Sequence, residues 1–147
     1  MSRKPQLSDV GQQIQDAVAK GAQVLCGGQP VDRPGWYFTP TVLTEVTHEM
    51  TVMREESFGP VIGIQRVSSD DEAVALMNDT DYGLTAAVYS ADRERAVEIL
   101  GQVSSGSAYW NCCDRVSPRL PWTGRNHSGI GSTLSTLGIT NFLQPRG

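Results

Sequence analysis

Val61-Ile62-Gly63-Ile64-Gln65-Arg66-Val67 is a near-continuous apolar run, and a helix-start signal follows it almost at once. A run of this length and residue type suits a strand buried on both faces, as in parallel sheets covered by helices. The start signal is Ser69-Asp70-Asp71-Glu72, a capping box. In such a box a serine hydroxyl takes an early helix N–H, and an acid three residues on reaches back. A doubly buried strand running straight into a capped helix points to an α/β layer architecture.

The rest of the chain repeats the alternation. Leu7, Val10, Ile14, Ala17 and Val18 recur at helical spacing, so residues 8–20 read as an amphipathic helix closed by Lys20-Gly21. Residues 22–26 read as a short apolar strand, and 29–36 as a turn-rich loop. Tyr37 to Val46 has strand composition broken by Pro40. The capped helix runs to about Asn78. Thr85 to Tyr89 reads as a strand, and Asp92 to Leu100 as a helix with Ala96, Val97 and Leu100 inward. Ser107 to Trp110 reads as a further strand. The order predicts an α/β domain with a mainly parallel sheet and flanking helices. Residues 111–131 hold Pro118, Pro121, Gly124, Gly129 and Gly131 without periodicity. So long an irregular stretch marks a functional loop.

Several function classes drop out. The 147 residues carry a net charge of -4, which is no footprint for nucleic acid. Residues 115–147 hold Arg115, Arg119, Arg125 and Arg146 without an acid, beside an acidic body. That segregation suits packing of the two parts more than an anionic ligand. No apolar window is long enough for a membrane span, and MSRKPQLSDVGQQ has no apolar core of a secretory signal. Three cysteines without such a signal point to reduced thiols and a cytoplasmic protein. His48 and His127 are far apart in sequence, and no cysteine spacing frames a structural metal.

Four segments carry chemistry, each with a plainer alternative. Glu55-Glu56-Ser57-Phe58-Gly59-Pro60 places paired carboxylates and an aromatic before a strand. A carboxylate accepts two ribose hydroxyls and a ring stacks on a flat heterocycle. By topology alone the segment is a surface turn, because α/β sheets gather ligands at the other strand end. Gly129-Ile130-Gly131 lacks the third glycine and the leading strand of a dinucleotide fingerprint. It reads as a tight turn into a short helix around Thr133–Leu137, capped by Gly138. Cys112-Cys113 lacks an assigned base, so inert thiols are favoured over a nucleophile. Trp122, framed by Pro121 and Gly124, reads equally as a pocket wall or as a pin holding the loop to the core. His127 reads as a surface residue without a partner.

Taken together these segments resemble the C-terminal part of the NAD(P)-dependent aldehyde dehydrogenase superfamily, from about Ser2 to Pro145. Glu55 to Val61 is similar to the family's E-x-F-G-P block. Asn78-Asp79-Thr80-Asp81-Tyr82-Gly83-Leu84-Thr85-Ala86 resembles its N-x-x-x-Y-G-L-x-A turn. Asn111, Pro121-Trp122-Thr123-Gly124-Arg125 and Ser128-Gly129-Ile130-Gly131 resemble its N…P-F-G-G-x-K-x-S-G-x-G loop. Gly21-Ala22 to Cys26-Gly27-Gly28 resembles a G-A-x-x-L-x-G-G element. The resemblance implies that Glu56 bonds the nicotinamide ribose and that Phe58 lies beside the nicotinamide. It places Gln6 near the adenosine end of NAD or NADP. Cys113, Asp114, Val116 and Trp122 fall on positions lining the aldehyde pocket, and Cys112 on a non-catalytic cysteine position. An aldehyde substrate and a homo-oligomer are implied as partners.

The departures are informative. The usual F-G-G is Trp122-Thr123-Gly124, whose indole reshapes the pocket. The family's nucleophilic cysteine, general-base glutamate, oxyanion asparagine and cofactor domain lie upstream of the matched region and have no counterpart here. The full reaction runs through thiolate attack, hydride transfer and thioester hydrolysis, so residues 1–147 read as a partial catalytic domain. This chain alone is expected to be inactive and to associate with the missing N-terminal part. A stand-alone binding module derived from the family is the alternative, with a thiol enzyme using Cys112 or Cys113 behind it.

Overall fold

The structure is a computed structural model that describes residues 1–113, 115–144 and 146–147. The chain forms two compact units, residues 1–67 and 68–147.

In the first unit, α1 (Lys4–Ala19) begins with Pro5 in its first turn, where the missing N–H costs nothing. The helix therefore starts four residues before the position its apolar spacing predicts. It buries Val10, Gln13, Ile14 and Ala17, while Val18 is exposed. Then come β1 (Gln23–Cys26), β2 (Thr41–Thr44), α2 (Thr51–Arg54) and β3 (Val61–Ile64). The sheet order is β1-β2-β3. β1 pairs antiparallel with β2, and β2 runs parallel with β3. Pro40 ends the extended approach and β2 starts at the next residue. Leu43, Met50 and Val10 are the largest fully buried side chains, in a core shared by Val46 and Phe38.

The expected double burial of β3 is not met within this unit. Its residues alternate, with Ile62 and Ile64 at 59% and 48% exposure. The side of Val61 and Gly63 faces the core, where Gly63 sits against Val46 and Met53. β1 is exposed at every residue.

The second unit holds α3 (Asp70–Asn78), β4 (Thr85–Val88), α4 (Arg93–Gln102), β5 (Ser107–Trp110), β6 (Trp122–Thr123), β7 (Ser132–Thr133) and α5 (Ser135–Thr140). β4 and β5 are parallel, as a strand-helix-strand crossover requires. The capping box forms with a shift: Ser69 Oγ accepts the Glu72 N–H at 3.1 Å, while Glu72 reaches back to Ser68 rather than to Ser69. Asp92 caps α4 by accepting the Arg95 N–H at 3.1 Å. α4 buries Ala96 and Ile99, and Val97 points outward at 56% exposure. Residues 96, 99 and 100 share one helical stripe, and 97 lies a quarter-turn away. The short helix also differs from expectation. It spans Ser135–Thr140 and contains Gly138, whose Cβ would come 2.7 Å from the Thr133 carbonyl carbon. That glycine allows close packing on β7 and does not end the helix. Among the described residues no helix is long and apolar enough to cross a membrane.

Candidate functional site

The acidic-aromatic segment joins α2 to β3, and α1 fixes it. Asp16 Oδ2 accepts both the backbone N–H and the hydroxyl of Thr51, each at 2.9 Å. Thr51 opens α2, so Asp16 supplies the N-terminal acceptor that the α2 cap residue, Met50, lacks. Lys20 bonds Asp16 from the next turn of α1 at 3.0 Å. Lys20 first, and then the two Thr51 donors, hold the Asp16 carboxyl down at about 2.

At the far end of the segment Gln6 Nε2 donates to the Phe58 carbonyl. Gly59 lies flat against Val10, where a Cβ would meet Cγ2 at 2.4 Å. The Pro60 carbonyl accepts the Thr41 N–H at 2.8 Å, which brings the chain into β3 beside β2. One helix therefore grips both ends of residues 51–59. Between the grips Glu56 is exposed, and the Phe58 ring is 74% exposed.

Phe58 has φ 46°. A bulky residue in the left-handed region costs about 1–3 kcal/mol and persists only where its surroundings over-determine it. Gln6 and Gly59 do so here. The result is an outward aromatic on a pinned turn, next to a carboxylate with open lone pairs. Within the first unit the structure ties Gln6 of α1 to the segment that carries Glu56 and Phe58. Sequence reasoning did not find Asp16, whose only signal was its place four residues before Lys20.

In the second unit the long loop is tied to the Asn78–Ala86 turn. Gly83 N–H donates to Ser128 Oγ at 3.0 Å. The Gly83 and Asp81 carbonyls accept from Arg125 N–H and His127 N–H, each at 2.9 Å. His127 also meets Tyr82 edge-on with ring centroids 6.2 Å apart. It is on the surface as expected, but it has a partner. Asn78 bonds both sides of the α4 exit, accepting from Ser104 N–H at 2.7 Å and donating to the Gln102 carbonyl at 2.9 Å.

Asn111, at φ 48°, holds Ser90 through both side-chain atoms, at 2.9 and 2.8 Å. Cys112 is half-buried and Cys113 exposed. Val116 is 58% exposed. Asp114 lies outside the described residues. Trp122 is half-buried in β6 and pairs with Thr133 of β7. Gly129 and Gly131, at φ 103° and 95°, make the expected tight turn. Among the described residues no group of His, Cys, Asp and Glu is placed to hold a metal.

The profile of the aldehyde dehydrogenase family matches residues 1–146. The succinate-semialdehyde dehydrogenase (NADP(+)) of Deinococcus radiodurans is 42% identical over 146 residues, 99% of this chain and 31% of that protein. The crystal structure of lactaldehyde dehydrogenase from Escherichia coli superposes with a TM-score of 0.92 at 34% identity, over 97% of this chain and 30% of that one. Betaine aldehyde dehydrogenase from Staphylococcus aureus in complex with NAD+ gives 0.89 at 31% identity, over 95% and 29%. The chain thus spans about 30% of the length of the relatives it matches.

Proposed function

The chain belongs to the aldehyde dehydrogenase family, and from that premise we propose that it supplies the nicotinamide-ribose clamp and one pocket wall for NAD(P)-dependent oxidation of an aldehyde to an acid. The observation that carries the reading is the pinned turn with Glu56 and Phe58 both facing outward.

Those residues suit the group they would hold. A ribose diol needs an acceptor with two open oxygens, and the exposed Glu56 carboxylate offers them. A nicotinamide needs an uncovered ring face, and Phe58 offers one. NAD(P)+ when bound supplies the hydride acceptor. Glu56 orients the ribose, Phe58 limits where the nicotinamide lies, and Gln6 fixes the Phe58 backbone. The loop with Cys113, Val116 and Trp122 forms the side of the pocket that the aldehyde meets. The named relatives act on succinate semialdehyde, lactaldehyde and betaine aldehyde, which supply the panel for a substrate screen.

None of the three thiols occupies a nucleophile motif: Cys26 ends the exposed strand β1, and Cys112 and Cys113 are adjacent in the loop. A covalent path requires an activated thiolate facing the aldehyde. The 147-residue chain is therefore expected to form no NAD(P)H from any aldehyde of that panel. Formation above an enzyme-free blank overturns that part of the reading.

The clamp is tested separately. Saturation-transfer NMR of the chain with excess NAD+ is expected to show contact at the nicotinamide and nicotinamide-ribose protons. Glu56→Ala is expected to weaken the ribose signal and Phe58→Ala the nicotinamide signal. Equal signals in wild type and both variants would remove the clamp.

A further inference from the structure

The clamp does not use Cys112 or Cys113. We propose that they form a reversible redox pair, which a hydroperoxide closes to a vicinal disulfide. Both are free thiols, Cys113 exposed and Cys112 half-buried. The backbone near the pair is anchored at residues 111 and 115. Before it, Asn111 N–H bonds the Val88 carbonyl at 2.9 Å, and its side chain grips Ser90. After it, the Arg115 carbonyl accepts the Tyr109 hydroxyl at 2.9 Å. Cys112 and Cys113 are thus adjacent in sequence, the second exposed and the first half-buried.

Neighbouring Cα atoms lie about 3.8 Å apart across a trans peptide. That is below the range of about 4.4–6.8 Å usual for disulfides, so ring closure strains the local backbone and leaves the bond easy to reduce. Strained, exposed disulfides are the labile and regulatory kind. The chemistry balances with the hydroperoxide as oxidant. The Cys113 thiolate attacks the outer peroxide oxygen, forming S–O and breaking O–O, and the other oxygen leaves as an alcohol, or as water from hydrogen peroxide. Cys112 sulfur then attacks the sulfenic sulfur, forming S–S and breaking S–O, and water leaves. The two thiols lose two protons and two electrons, which reduce the peroxide. This assignment is independent of the clamp, and it places the redox pair in the loop proposed as the pocket wall.

The test uses hydrogen peroxide at one equivalent on the whole chain, followed by alkylation and peptide mass analysis. Of the three cysteines, Cys26 is expected to stay alkylatable while both others are lost. Their shared peptide is expected to be lighter by two hydrogens, and glutathione is expected to restore it. In Cys112→Ser, the same treatment is expected to give Cys113 carrying added oxygen, or chain-to-chain disulfides. The proposal is overturned if the wild-type peptide itself gains oxygen, if the wild type dimerises through disulfides, or if Cys26 is consumed at the same rate.

Discussion

Asp16 accepts both the backbone N–H and the hydroxyl of Thr51, each at 2.9 Å, so a carboxylate on α1 caps the helix that leads into Glu56 and Phe58. Its charged form carries the cap. The carboxyl sits at about 2 against an ordinary 3.8. A depressed folded value means that the unfolded chain takes up the proton first. The contribution is then complete above the unfolded value and is lost as pH falls through the folded one. Asp16→Asn, which resembles the protonated acid, is expected to melt below wild type at neutral pH. The gap is expected to close between about pH 4 and pH 2. Thermal melts across that range check it, and a gap that persists unchanged at the acid end contradicts it.

Gly59 and Val10 make the other grip. A Cβ at 59 would lie 2.4 Å from Val10 Cγ2, and Val10 is fully buried. Overpacking of this kind costs about 1–3 kcal/mol. Gly59→Ala is expected to lower the urea midpoint accordingly. Val10→Ala removes the opposing methyls, so the double variant is expected to lose less than the sum of the singles, by about 0.5 kcal/mol or more. Strict additivity places the strain elsewhere.

The fold was readable where local signals and packing agree. Ser69 and Asp92 cap their helices because a short side-chain acceptor before an apolar stripe has little else to do. β4 and β5 were readable as short apolar runs between helices. Other features depend on partners distant in sequence. α2 is four residues long and is held by Asp16, which lies 35 residues earlier, so no local pattern announces it. The Ser128–Gly83 bond spans 45 residues. Outward exposure of Ile62 depends on which layers cover the sheet, which hydrophobicity does not state. Of the site, the acidic-aromatic block was legible as a motif, but the role of Gln6 as a fastener of Phe58 emerged only in three dimensions.

Gln13 is a polar residue within the buried face of α1, at 6% exposure, and its Oε1 has no partner among the described residues. An unsatisfied buried acceptor costs about 1–3 kcal/mol, whereas an apolar group of similar shape does not. Gln13→Leu is expected to raise the melting temperature, with a gain of about 1 kcal/mol in chemical denaturation. A lower midpoint in that variant assigns the amide a stabilising role instead.

Ser128 Oγ accepts the Gly83 N–H at 3.0 Å from a part-buried position. Removing the acceptor strands a donor on the turn that leads into β4, at a cost of about 1–3 kcal/mol. The adjoining bonds from Arg125 and His127 to the Gly83 and Asp81 carbonyls remain. Ser128→Ala is therefore expected to loosen the tie locally without unfolding the unit. Hydrogen exchange is expected to accelerate at the Gly83 amide by about tenfold for each 1.4 kcal/mol lost. The Ala86 and Val88 amides, within the parallel β4–β5 pair, are expected to keep their protection. Equal acceleration across β4 and β5 shows instead that Ser128 supports the whole unit.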